Sequence, residues 1–220
     1  MLQFSFKKKN TNKRNEMHKF ATSFRYLPGK IQNFSARIIQ SEPMFKDASF
    51  HFAREHGGPI TREFLDEIPH IYKNKGVFNS FVHQLEKNWY PCAPGYCQDY
   101  NSPKDTRRVH VMNSINDKEE NICPIEFGMG ECVLPEHFEV IYNKYWYNEL
   151  KKLIDNNDLY HHKIKNNYFV LFDDFSLHHV MPASSSGSRW TGRLTIDDEH
   201  VTFLNEFRKQ SQICIIEKIF

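Results

Sequence analysis

Two stretches of the chain concentrate side chains able to do chemistry. The first runs from Leu171 to Ala183, with Asp173-Asp174 followed by the adjacent imidazoles His178 and His179. A Ser-rich loop then leads into Arg189-Trp-Thr-Gly-Arg193. Side chains alternate along a strand, so only one of His178 and His179 can face an interior, whereas Arg189, Thr191 and Arg193 share a face. Two guanidiniums on one inward face call for an anion such as a dicarboxylate. The second stretch is Trp89 to Tyr100, where Pro94-Gly95 makes a turn just before Cys97-Gln-Asp99. Residues two apart on a strand face the same way. Cys97 and Asp99 can therefore bind one metal together, with an imidazole from a distant strand, His178, completing a three-ligand facial site.

Other signals have plainer readings. Adjacent acids such as Asp173-Asp174 at a strand end suit a turn better than a carboxylate-pair hydrolase. Cys92, Cys97, Cys123 and Cys132 form no CxxC pair, so a zinc ribbon is not indicated. Gly128-Met-Gly130 has no third glycine and opens no helix, and no phosphate-cradling Lys motif occurs. Nucleotide-fold enzymes drop out.

The elements that must position these residues are mostly strands. Arg107 to Ile115, Ile122 to Leu134, Tyr168 to Ala183 and Arg189 to Ile196 are rich in Val, Ile, Phe, Tyr and Thr, with polar turn clusters between them. Ser35 to Gln40 also reads as a strand. Thr61 to Ile68 reads as a short helix, started by Pro59 and capped by Thr61. Apolar spacing predicts a second helix from Gly76 to Trp89, through Val77, Phe78, Phe81, Val82, Leu85 and Trp89. A third is expected from Phe138 to Ile154. Helices early and strands late, without regular alternation, argue against Rossmann and TIM architectures. They predict an α+β, mainly β fold, a jelly roll with helices packed on the outside.

At 220 residues the chain suits one core, expected over residues 20–220, with residues 1–19 as a basic, unstructured arm. Formal charge is 29 minus 27, or +2, with the excess near the start, so nucleic acid is not the expected partner. The longest apolar runs, such as Tyr168 to Phe172, fall far short of the roughly 20 residues of a membrane-spanning helix. Five cysteines, an odd number, fit reduced thiols, and a cytoplasmic protein is expected.

Taken together, Pro94-Gly-Tyr-Cys-Gln-Asp99, Pro124-Ile-Glu-Phe127, Phe172-Asp-Asp174, His178, Pro182-Ala183 and Arg189 with Arg193 resemble the double-stranded β-helix oxygenases that use Fe(II) and 2-oxoglutarate, including the phytanoyl-CoA-hydroxylase-like members. The resemblance spans roughly residues 53–197 by order of elements. It implies iron held by a His-x-Asp pair and a distal His, which would be Asp99 and His178 here, with Cys97 standing where the family has its first His. Arg189, eleven positions after His178, would by the same resemblance hold the far carboxylate of 2-oxoglutarate. Arg193 would hold a substrate anion or polar partner, and Tyr96, Tyr100 and Trp190 would be pocket walls.

Three possibilities remain open for the first ligand: the Cys97 thiolate, His110 from the next strand, or weak or absent metal binding. The activity implied is oxidation of a small molecule or peptide, coupled to decarboxylation of 2-oxoglutarate to succinate. The alternative is a degenerate relative that keeps the fold and binds or scaffolds without turnover.

Overall fold

The computed structural model describes residues 17–92, 108–135, 155, 159–196 and 202–209. In chain order its elements are β1 (Met17–Thr22), β2 (Phe24–Lys30), α1 (Ala36–Ser41), β3 (Phe45–Lys46), α2 (Phe50–His56), α3 (Pro59–Glu67) and β4 (Gly76–Leu85). After them come β5 (Val109–Asn116), β6 (Ile125–Pro135), β7 (Tyr160–Lys163), β8 (Tyr168–Asp173), β9 (His178–Val180), β10 (Gly187–Ile196) and β11 (Glu206–Phe207).

Five antiparallel strands in the order β2-β8-β5-β10-β4 form the larger sheet. β1, β6 and β7, with β9 also paired to β6, form the smaller one. The sheets face each other across an apolar layer of Met112, Val170 and Phe172 from the larger and Ile125 and Phe127 from the smaller. The helices cover the other face of the larger sheet. There Ile39, Ala53, Ile60, Phe64 and Leu65 bury against Phe78, Val111, Ile115, Phe169, Trp190 and Leu194. This is a mainly β jelly roll with helices outside, the architecture expected from the sequence.

Two local expectations are overturned. Gly76 to Leu85 is a strand, paired with β10 over ten register positions, and not a helix. Its Phe78 faces the helix-side core while Phe81 and His83 face the opposite way, so apolar residues fall on both parities and imitate helical spacing. Conversely, Ser35 to Gln40 is helical. Ser35 caps α1 by accepting from the Ile38 N–H. The helix expected at Thr61 to Ile68 is present as α3, but it starts at Pro59 with Gly58 at the cap position, so Thr61 lies within its first turn and is not its cap. β1 begins at Met17, so the expected arm boundary at residue 19 falls within a strand; residues 1–16 and the helix expected over Phe138 to Ile154 lie outside the described residues.

The start of α3 takes its cap from elsewhere in the chain. The carboxylate of Glu42, 4% exposed, accepts from the backbone N–H of Ile60 (3.3 Å) and Thr61 (2.8 Å). Gly58 is needed at this point because a Cβ there would collide with the Glu42 carboxyl. Burial pushes the Glu42 carboxyl above its usual range, against the pull of hydrogen bonds from Thr61, Ile60 and Gly58. Glu42→Ala removes the acceptor from both N–H groups and is expected to lower unfolding stability by about 1–2 kcal/mol in urea melts at neutral pH. Unchanged stability would mean that solvent caps α3 as well as the carboxylate does.

Candidate functional site

The turn before β9 aims its first histidine. Asp173 Oδ1 accepts the Phe175 N–H (3.1 Å), as expected of an acid at a strand end, and Ser176 Oγ donates to Ser23 O (2.7 Å). The buried Thr22 hydroxyl accepts from the Leu177 N–H and donates to Gly128 O, both at 2.7 Å. These bonds clamp the turn between β1 and β6. On β9, His178 pairs in register with Phe127 and His179 with Glu126. Phe127 belongs to the inner layer, so His178 faces between the sheets. His179 faces out, with Nε2 3.0 Å from Glu126 Oε1.

His178 is 8% exposed and packs against Phe127 (5.5 Å between centroids) and Phe172 (5.1 Å). Its Nδ1 lies 2.9 Å from Ser176 O. A carbonyl oxygen only accepts, so Nδ1 carries the proton in this bond, and in the neutral ring the lone pair sits on Nε2. A metal-ligating imidazole is oriented in this way, one nitrogen donating to a carbonyl while the other ligates.

Arg189, Thr191 and Arg193 face the same side of β10. In register with them stand His83, Phe81 and Asn79 on β4 and Asn116, Ser114 and Met112 on β5. Met112 lies in the inner layer, so this side faces between the sheets. Trp190 corrects an expectation. It is fully buried on the opposite side of β10, against Phe64 (5.7 Å) under the helices, and cannot wall a pocket beside Arg189. Gly192 leaves room for the folded-over indole, since a Cβ there would strike it.

Arg189 is 3% exposed, yet its Nε and Nη2 have no hydrogen-bond partner among the described residues. Leaving such a cation buried and uncompensated is costly, which makes it a strong candidate for binding an anion. Its field also reaches Cys123: burial pushes that thiol up while Arg189 draws it down. Cys123 Sγ lies 3.0 Å from Met181 O, its hydrogen-bond acceptor. Arg193 is half-buried four residues along the strand, its Cα about 13 Å from that of Arg189 at strand rise.

His110 is held in a different arrangement. Its Nε2 lies 2.7 Å from Asp174 Oδ1 and its Nδ1 3.1 Å from Thr195 Oγ1. Asp174 Oδ2 accepts from Arg108 N (3.0 Å) and Nε (3.1 Å). Both His110 and Asp174 are 1% exposed. With both ring nitrogens engaged, His110 serves an ion-pair network in this structure. Asp174 is likewise more than a turn residue. Burial opposes its ionisation, but hydrogen bonds from His110 and Arg108 outweigh that and hold its carboxyl below the ordinary aspartate value. Adjacent acids in a turn gave no hint that the second would point inward.

Cys97, Asp99, Tyr96 and Tyr100 lie outside the described residues. Among the described residues, no group of three His, Cys, Asp or Glu side chains is arranged to hold a metal. An iron ion and 2-oxoglutarate fit the described part of the site in two respects: the His178 tautomer, and a buried guanidinium without an anion. A cleft of about 500 Å³ along β2, lined by Arg25, Leu27, Pro28, Glu67, Pro69 and Tyr72, includes none of these residues. No helix among the described residues is long and apolar enough to cross a membrane.

No protein-family model and no curated protein matches the chain. Among solved structures it is similar to the nickel complex of the non-heme monooxygenase ThoJ, at 9% identity and a TM-score of 0.42 over 80% of this chain and 74% of that one. It is similar to EvdO2 from Micromonospora carbonacea var. aurantiaca complexed with 2-oxoglutarate, at 11% identity and a TM-score of 0.36 over 69% of this chain and 64% of that one. It is also similar to EvdMO1, at 11% identity and a TM-score of 0.38, covering 57% of this chain but only 27% of that one. Likenesses this distant assign no role to any residue here.

Proposed function

We propose that the chain is a non-haem Fe(II)- and 2-oxoglutarate-dependent oxygenase-like protein acting on a small molecule or a peptide. The observation that carries this reading is Arg189, a buried cation facing between the sheets with Nε and Nη2 unpartnered among the described residues. In the proposal Cys97, Asp99 and His178 hold the metal, and Arg189 grips the far carboxylate of 2-oxoglutarate. When bound, iron and 2-oxoglutarate supply the oxidising chemistry. The protein supplies position and environment. The Ser176 carbonyl holds the His178 ring in one tautomer, and Phe127 and Phe172 pack around that ring and keep water from it. In a dry interior the pairing of Arg189 with a carboxylate is stronger than it would be in water.

The test is an anaerobic titration of the apoprotein with Fe(II) and 2-oxoglutarate, followed by the visible metal-to-ligand charge-transfer band. The band is expected in the wild type and absent in His178→Ala. Asp99→Ala combined with His178→Ala should abolish Fe(II) binding. Unchanged iron affinity in that double variant would refute the ligand assignment. No band in the wild type, together with no other tightly bound metal, would replace this reading with a non-catalytic binding or scaffold protein.

A further inference from the structure

The face of the larger sheet that carries Arg189 and Arg193 gains a third guanidinium from a distant part of the chain. β11 pairs with β3, and Arg208, the next residue, donates its backbone N–H to Met44 O (2.8 Å). This brings Arg208 over β4. Its guanidinium carbon lies 4.3 Å from the Phe81 ring centroid, and Nη2 donates to Asn79 Oδ1 (3.2 Å). Phe81 and Asn79 are the register partners of Thr191 and Arg193, so Arg208 stands over the same face of the sheet as Arg193.

The Asn79 amide is held fast. Its Oδ1 also accepts the Asp47 N–H and its Nδ2 donates to Asp47 Oδ1, both at 3.1 Å. Asp47 Oδ1 accepts from Asn79, and Asp47 acts on Arg208 through its field. Arg208 Nε is buried with no hydrogen-bond partner among the described residues. Burial disfavours the charge on Arg208, Asp47 supports it, and Arg193 opposes it. An anion beside the Arg208 guanidinium would satisfy its Nε donor and offset the field of Arg193.

We propose that Arg208 and Arg193 form a second anion site, separate from Arg189, which takes the acidic group of the substrate. The ligand is then an organic acid or a phosphorylated molecule, bound at that end while Phe81 lies beneath the Arg208 plane. The role as a substrate grip rests on the oxygenase reading; the anion site itself does not. Arg208 would set specificity, and its position depends on the pairing of β11 with β3.

The test is calorimetric titration of the full chain with inorganic phosphate and, separately, with acetate, to tell a phosphate from a carboxylate preference. Both are repeated in an Arg189→Met background so that the deeper cation cannot contribute. At least one anion is expected to bind equally in the wild type and in Arg189→Met, with affinity at least tenfold weaker in Arg208→Ala and within about threefold of wild type in Arg208→Lys. Arg208→Gln keeps a donor for Asn79 and removes the charge. Loss of anion binding in that variant, with an unchanged melting temperature, supports the proposal even if Arg208→Ala fails to fold. Binding of neither anion by the wild type, or binding unaffected in Arg208→Gln, overturns it. Arg208-dependent anion binding in a protein without the Fe(II) and 2-oxoglutarate band supports the site and removes only the oxygenase reading.

Discussion

Arg189→Met is expected to raise the melting temperature of the protein without 2-oxoglutarate and to abolish the further rise that 2-oxoglutarate produces in the wild type. A guanidinium 3% exposed, with Nε and Nη2 unpartnered, incurs its desolvation cost without a matching hydrogen bond. Replacing buried charge by an apolar side chain of similar length is often stabilising, and a gain of about 1–3 kcal/mol is expected here. At about 2–4 °C per kcal/mol for a domain of this size, the shift is several degrees. The wild type should recover the difference when 2-oxoglutarate is added, by about 2.7 kcal/mol at a hundredfold excess over Kd, whereas the variant should not respond. A drop in melting temperature in ligand-free Arg189→Met would show that the cation is already compensated, and would remove the main support for the cosubstrate site.

Asp174→Ala is expected to be the most destabilising single change outside the apolar cores. It takes the acceptor from Arg108 N and Nε and from His110 Nε2 at once. Breaking a sealed ion pair from one side costs about 3–5 kcal/mol, but the Arg108 side chain is 24% exposed and can turn partly to water. About 2–4 kcal/mol is therefore expected. The pH dependence has a definite sign. The folded protein holds the Asp174 carboxyl below its ordinary value of 3.8, so the unfolded chain binds the proton more readily. The contribution is fully present above pH 3.8 and is lost as pH falls through the folded value. Urea melts at pH 7 and at pH 3 should thus differ more for wild type than for Asp174→Ala. An equal acid loss in both would assign that loss to other carboxylates. Glu42 acts with the opposite sign: its raised folded value makes its contribution fall as pH climbs above 4.5.

At β4, which apolar spacing misread as a helix, the cause is burial on both faces. β4 packs Phe78 under the helices and turns Phe81 and His83 the other way, and no local rule separates that pattern from an amphipathic helix. α1 is a single capped turn and a half whose Ile-Ile pair favours a strand in isolation; its bond from Gln40 Nε2 to Ser188 Oγ (2.7 Å) and the burial of Ile39 belong to tertiary packing. The Asp174 network escaped because its partners are 64 and 66 positions away. Arg208 escaped because nothing local to it resembles a site.

What the sequence determined alone was whatever follows from parity and composition: the strand-rich second half, the jelly roll, and the opposition of His178 to His179. The common face of Arg189, Thr191 and Arg193 belongs to the same group, because alternation is a property of the strand itself. Tertiary structure decided which of those faces is the interior, that Trp190 belongs to the helix-side core, that His110 is engaged by Asp174, and that Arg208 reaches Phe81. Each of these depends on which strands pair and in what register, and that is set by burial summed over both sheets, which no single segment contains.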